Sequence, residues 1–124
     1  MSEFPSLRRL RLPRASRLCD SAAFDRLLKD GARVSDGLMS LWGRPNGLAQ
    51  ARFGMIVSRR HGNAAKRNRI RRRLRESFRL ARTKLPAGLD LAAAPHVGAN
   101  ITVSGAIESL LRLSERLARR LEAK

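Results

Sequence analysis

The sequence has one cysteine, one tryptophan, four phenylalanines and no tyrosine in 124 residues. A lone cysteine, Cys19, excludes an internal disulfide. A reducing compartment fits, and the thiol reads as a small buried residue rather than a redox centre. So few rings argue against a sheet that stacks several successive bases. Phe53 and Phe78 read as core, while Phe24 and Trp42 are open to two roles, core packing or the lining of a groove. Acids are also scarce, and no pair of them is spaced for general acid–base work. The two histidines, His61 and His96, have no Cys or His partner at metal-ligand spacing. His61 lies between a strand and a basic helix, where it could contact RNA or pack a loop; His96 reads as a loop residue. There is no phosphate-loop signature and no apolar run of signal-peptide or membrane-span length. A self-sufficient nuclease and a membrane protein are therefore poor readings, and the cytosol is the expected location.

What the chain has is arginine. Lys plus Arg number 27 against 10 Asp plus Glu, a formal net charge of +17. That surplus exceeds what solubility needs and points to a nucleic-acid partner. Between residues 52 and 84 there are 13 cationic residues and one acid, Glu76. Planar guanidinium forks suit phosphate better than a diffuse lysine cloud does. At 124 residues the chain is one domain that buries roughly two thirds of its unfolded surface.

The stretch Gly62 to Glu76 carries most of this charge yet keeps helical order. Ile70, Leu74 and Phe78 recur every four residues, with Ser77 and Ala81 beside them, and form one stripe. Asn68, Arg71, Arg72, Arg75 and Arg79 fall on the opposite side. Asn63 is the expected cap, and the helix is expected to stop near residue 84, before Pro86 and Gly88. A membrane-active helix is disfavoured because the apolar face is narrow and poor in large residues.

Elsewhere the signals are shorter. Residues 1–18 read as a basic N-terminal arm and 19–124 as a single RNA-binding domain. Asp20 or Ser21 caps a helix over about 22–30, ended by Gly31. Residues 38–43 and 51–58 read as strands joined as a hairpin through Arg44-Pro45-Asn46-Gly47. A strand near 33–36 is weakly signalled. Residues 89–94 suggest another, although Ala92, Ala93 and Ala94 are poor strand formers. Ser104 is the expected cap of a last helix over about 105–122, with Ile107, Leu110, Leu111, Leu117 and Leu121 inward. The order helix, hairpin, helix, strand, helix gives an α+β fold with at least one crossover onto a small sheet.

With those residues in view, the chain resembles the bacterial ribonuclease P protein subunit over about residues 7–120. The strongest part runs from Arg52-Phe53-Gly54-Met55-Ile56-Val57-Ser58-Arg59-Arg60, through Gly62-Asn63-Ala64, to Arg67-Asn68-Arg69-Ile70-Arg71-Arg72-Arg73-Leu74-Arg75-Glu76. Asp20 to Gly31 and Pro86 to Asp90 are similar to the family's first helix and to the approach to its last strand. Leu28 stands where family members often have an aromatic, and Arg59-Arg60 stands where Lys-Lys is common.

The resemblance implies a small α-β sandwich with a central, mostly antiparallel sheet and an unusual left-handed crossover at the basic helix. It implies an RNA-binding subunit of an endoribonuclease that removes the 5′ leader of precursor tRNA, with the catalytic centre in the RNA. Mg2+ would be held mainly by RNA, with none bound by this chain alone. The partners implied are ribonuclease P RNA and precursor tRNA, with no DNA and no membrane. Arg67, Asn68, Arg69, Arg71, Arg72 and Arg75 would face the catalytic RNA. Phe24, Leu28, Trp42 and Arg59 would lie at a leader cleft between the first helix and the sheet. The alternative weighed against this is a ribosomal or RNA-chaperone protein without turnover. The same charge would serve it, but the ordered strand, turn and helix favour the first reading.

Overall fold

The computed structural model describes residues 17–18 and 21–122. Cys19, Asp20 as a cap, and the arm up to residue 16 lie outside the described residues. Among the described residues the fold is α+β, with three α-helices and one mixed four-stranded sheet.

Helix α1 spans Ser21–Asp30 and buries Ala23 and Leu27, one turn apart. The N–H of Gly31 returns to Leu27 O at 2.9 Å. A Cβ at Gly31 would stand 2.4 Å from Leu27 O and 3.0 Å from Gly43 O, so this tight approach to the sheet requires glycine. The strands are β1 (Ala32–Ser35), β2 (Met39–Pro45), β3 (Arg52–Met55) and β4 (Leu89–Pro95). Their order is β1-β2-β4-β3. β1 with β2 and β2 with β4 run antiparallel, and β3 with β4 runs parallel.

The weakly signalled segment near 33–36 is thus a full edge strand, but the expected hairpin of β2 with β3 does not form. The turn at Arg44 to Gly47 does reverse the chain, with Gly47 at φ 71°. β4 then inserts between the two strands, placing Ala92 opposite Trp42 and Leu91 opposite Phe53. The reason is burial. As a central strand covered on both faces, β4 hides Leu91, Ala92 and Ala93 completely, a gain that outweighs the weak strand propensity of alanine. The parallel β3–β4 pair needs a long crossover, and the basic helix supplies it.

That helix, α2, spans Ala64–Ala81, and a last helix, α3, spans Val103–Glu122. Short 3-10 turns cover Arg59–His61 and Arg82–Lys84. Both long helices pack on one sheet face, where Met39, Leu41, Leu91, Leu74, Phe78, Leu110, Leu113 and Leu117 join one core. Phe53 stacks on Phe78 with ring centroids 4.5 Å apart and planes 13° from parallel. α1 packs on the other face through a smaller cluster of Leu18, Ala23, Leu27 and Ala92, edged by Phe24 and Trp42.

Thr102, not Ser104, caps α3: the N–H of Gly105 donates to Thr102 Oγ1 at 3.1 Å. The helix begins at Val103, so Ser104 already lies inside it. Its buried positions are Ala106, Ser109, Leu110, Leu113, Ser114 and Leu117, while Ile107, Leu111 and Leu121 are only partly covered. At the β1 edge Arg120 Nη1 donates to Arg33 O at 2.8 Å and Arg116 Nη1 to Ser35 O at 3.5 Å. At the opposite edge Arg17 bridges to Phe53 in parallel, and the Leu18 N–H donates to Phe53 O at 2.9 Å.

Candidate nucleic-acid interface

The approach to α2 is built residue by residue. Ser58 caps the first 3-10 turn, its Oγ accepting from the Arg60 N–H at 3.3 Å. His61 is buried and locks this turn to the end of β4. Its Nδ1 accepts from the Ser58 N–H at 3.1 Å, and Nε2 lies 2.7 Å from Pro95 O. Of its two candidate roles, the structure places it in loop packing. His96 also ties a loop, with Nε2 2.8 Å from Asp36 O. Gly62 follows at φ 126°, a conformation that an L side chain rarely adopts. Asn63 then caps α2 as expected, its Oδ1 accepting from the Lys66 N–H at 2.9 Å.

The stripe of α2 divides as its periodicity predicts. Ile70, Leu74, Ser77, Phe78 and Ala81 are all buried. Ser77 Oγ lies 2.6 Å from Arg73 O and 3.2 Å from Val103 O, so the one polar member of the stripe is satisfied. On the other side Asn68, Arg69, Arg72 and Arg75 are exposed, and Arg67 and Arg71 are half-buried. Arg71 is held in place, donating to Asn68 Oδ1 at 3.2 Å and to Val57 O at 3.3 Å. The Nε of Arg67 is buried without a hydrogen-bond partner. Partial burial, then the neighbouring charges of Arg17 and Arg71, hold the Arg75 guanidinium below the ordinary arginine range. It stays protonated at working pH, and its repulsion marks a place where an anion is favoured.

Two arginines of the helix do not join this face. Arg79 is expected there, but its Nε and Nη2 each donate to Glu76 at 2.8 Å. That pair holds the Glu76 carboxyl below its usual range and raises Arg79. The i,i+3 spacing of the two residues carries the signal for it. Arg73 points inward instead, donating to Ile101 O at 2.9 Å and tying α2 to the loop before α3.

The second group of candidates lies on the α1 face of the sheet. Phe24 and Trp42 are half-buried at the edge of the cluster beneath α1. Phe24 sits over Gly54, where a Cβ would stand 2.6 Å from its Cε2. Glycine is what admits the ring. Leu28 is 36% exposed on the same flank of α1. Arg33 lies with its guanidinium carbon 5.3 Å from the centroid of Trp42, and its Nη2 donates to Ser40 Oγ at 3.0 Å. This cation–π pair follows from the register that places Arg33 opposite Trp42. Arg59 is exposed on the turn beyond β3. The structure therefore brings Phe24 and Trp42 to one cluster and sets Leu28 on the same flank of α1.

No helix among the described residues is long and apolar enough to cross a membrane. The model for the ribonuclease P family matches residues 12–119. The ribonuclease P protein component of Salmonella newport is 36% identical over 116 residues, covering 90% of this chain and 97% of that one. The component from Methylococcus capsulatus is 42% identical over 74 residues, covering 59% of this chain and 58% of that one. Among solved structures, the RNase P protein from Thermotoga maritima superposes with a TM-score of 0.73 at 28% identity, covering 81% of this chain and 96% of that one. The RNase P protein from Staphylococcus aureus superposes with a TM-score of 0.69 at 26% identity, covering 87% of this chain and 96% of that one. A family match across most of the chain, joined to this fold and this arginine-faced helix, means that the protein belongs to the bacterial ribonuclease P protein component family.

Proposed function

We propose that the outer face of α2 binds the catalytic RNA and that the groove between α1 and the sheet receives the 5′ leader of precursor tRNA. As a ribonuclease P protein component, the chain partners ribonuclease P RNA in an endoribonuclease that processes tRNA 5′ ends. The observation that carries the finer reading is the division of α2. One stripe is buried, and the other presents Arg67, Arg69, Arg71, Arg72 and Arg75 with none of them salt-bridged to a described acid. Phosphate contacts would position the RNA, and Asn68 would add a donor and an acceptor for a sugar hydroxyl or base edge. Phe24 and Trp42 would offer ring faces to the leader, and Leu28 an apolar contact. Arg59 would meet the leader's backbone.

Catalysis is assigned to the RNA. Any Mg2+ would be held mainly by RNA, and no step is routed through the protein. We further assign residues 1–18 as a basic arm to the RNA-binding domain 19–124, and a left-handed crossover to β3–α2–β4. The deciding experiment is reconstitution with the cognate ribonuclease P RNA at low magnesium. Cleavage of precursor tRNA should be stimulated by the protein and absent with protein alone. Metal-dependent cleavage by RNA-free protein would overturn the assignment.

A further inference from the structure

A polar pocket of about 310 Å3 opens on the flank of α1 opposite Phe24 and Leu28. Ala23, Arg26, Arg44, Pro45, Asn46, Arg52 and Asp90 line it. Its base is a built ion pair: Arg52 Nε and Nη2 donate to the two oxygens of Asp90 at 2.7 Å each. Asn46 Nδ2 adds a third hydrogen bond to Asp90 Oδ1 at 3.0 Å. Both carboxylate oxygens are thereby engaged and the charge is balanced by Arg52.

Arg26 and Arg44 remain. No hydrogen bond or ion pair joins either guanidinium to a described residue, and Asp30, one turn beyond Arg26 on α1, is not paired to it. Arg44 is half-buried as a residue, and its side chain has no described counterion. Two guanidinium-bearing side chains lining one concave surface with a neutralised floor are complementary to a tetrahedral oxyanion. The site is separate from the proposed leader groove. By helical spacing Arg26 and Phe24 project from opposite flanks of α1, and Arg52 starts the strand whose far end leads to Arg59.

We propose that Arg26 and Arg44, over the Arg52–Asp90 pair, form a phosphate-binding subsite. Its ligand is a single phosphate group, either a backbone phosphodiester of bound RNA or free inorganic phosphate. This deepens the RNA-binding reading but does not depend on α2.

The test uses the full chain labelled with 15N, with the arginine Nε resonances of Arg26 and Arg44 assigned through R26Q and R44Q. Inorganic phosphate is titrated against sodium chloride at matched ionic strength. The two resonances should move together with one dissociation constant, and R26Q should weaken the response seen at Arg44 about tenfold or more, as loss of a charge-assisted contact does. R44K keeps the charge but loses the fork, and it should also weaken binding. The proposal is overturned if chloride produces the same shifts, if R26Q leaves Arg44 unaffected, or if R44K binds phosphate as well as the parent. The source of the phosphate is then read from single-stranded oligoribonucleotide binding. A salt slope lowered by about 0.7 in R26Q/R44Q identifies a backbone phosphate. An unchanged slope in R26Q/R44Q, beside a phosphate-specific response in the parent chain, identifies free phosphate. The α2 reading stands or falls separately, on R71A/R72A/R75A.

Discussion

Phe78→Ala would separate the two sides of α2. Phe78 is fully buried and stacks on Phe53 at 4.5 Å. Truncating such a ring costs about 3–5 kcal/mol, a sum that includes about 0.5–1.5 kcal/mol for the lost aromatic pair. Against a total of about 5–15 kcal/mol for a domain, that removes a large share of the stability. With a urea slope of about 1.5 kcal/mol per molar, the midpoint should fall by about 2–3 M. The melting temperature should drop by about 10–20 °C. The ring lies on the inner stripe, so affinity for the catalytic RNA should stay within about twofold wherever the variant is still folded, as expected for a residue outside the contact set. Urea denaturation paired with RNA titration measures both. A loss below about 0.5 kcal/mol would refute the packing argument, because that is the range of ordinary surface changes. Normal stability with weakened RNA binding would place Phe78 in the interface instead.

Other expectations follow from the same geometry. R71A/R72A/R75A should fold normally and flatten the salt dependence of RNA binding by roughly 2 units, three phosphates at about 0.7 each, as read from log K against log salt. Asn68→Ala should leave the melting temperature nearly unchanged and weaken RNA binding. Its bond to Arg71 makes N68A/R71A the informative double mutant, and additive losses would show that Asn68 contacts RNA itself rather than through Arg71. Asp36 gives a pH dependence. Burial raises its carboxyl, but the N–H groups of Met39 and Leu38, then Ser109 and Arg112, outweigh burial and hold it at about 2. The folded value lies below the unfolded one, so this contribution to stability is present above about pH 4 and is lost as pH falls toward 2. Denaturant titrations of Asp36→Asn should show that component missing.

The legible parts of the fold were those written in local spacing. The α2 stripe was readable because Ile70, Leu74 and Phe78 repeat every turn and nothing distant is needed to place them. Asn63 was readable because a cap acts within three residues. The β2–β3 hairpin was misread because turn chemistry at Arg44 to Gly47 fixes a reversal but not a strand partner. The partner is β4, some fifty residues further on at the Trp42–Ala92 pair. Three alanines announce no strand, and only a central position makes their small size an advantage. Charge was legible as a total but, outside the i,i+3 spacing of Glu76 and Arg79, not as pairing. Arg79 is spent on Glu76, Arg73 on Ile101 O, and Arg33 on Trp42, the last hidden until the β1–β2 register is known. Arg17 could be read only as part of a basic arm, although the structure brings its charge near Arg75.

The capping of both sheet edges has a consequence for life at high concentration. An uncovered edge strand is a template onto which another chain can add, and a sheet with two such edges can grow from both ends. Here α3 lays Arg120 and Arg116 against the carbonyls of β1, while the Arg17–Leu18 segment pairs with β3. Each side therefore offers an incoming strand an occupied hydrogen-bonding position and a positive charge. Two copies of this chain already repel through their net charge, and they are also denied the backbone ladder on which fibrils are built. Shielding of charge by salt removes the first barrier and leaves the second standing.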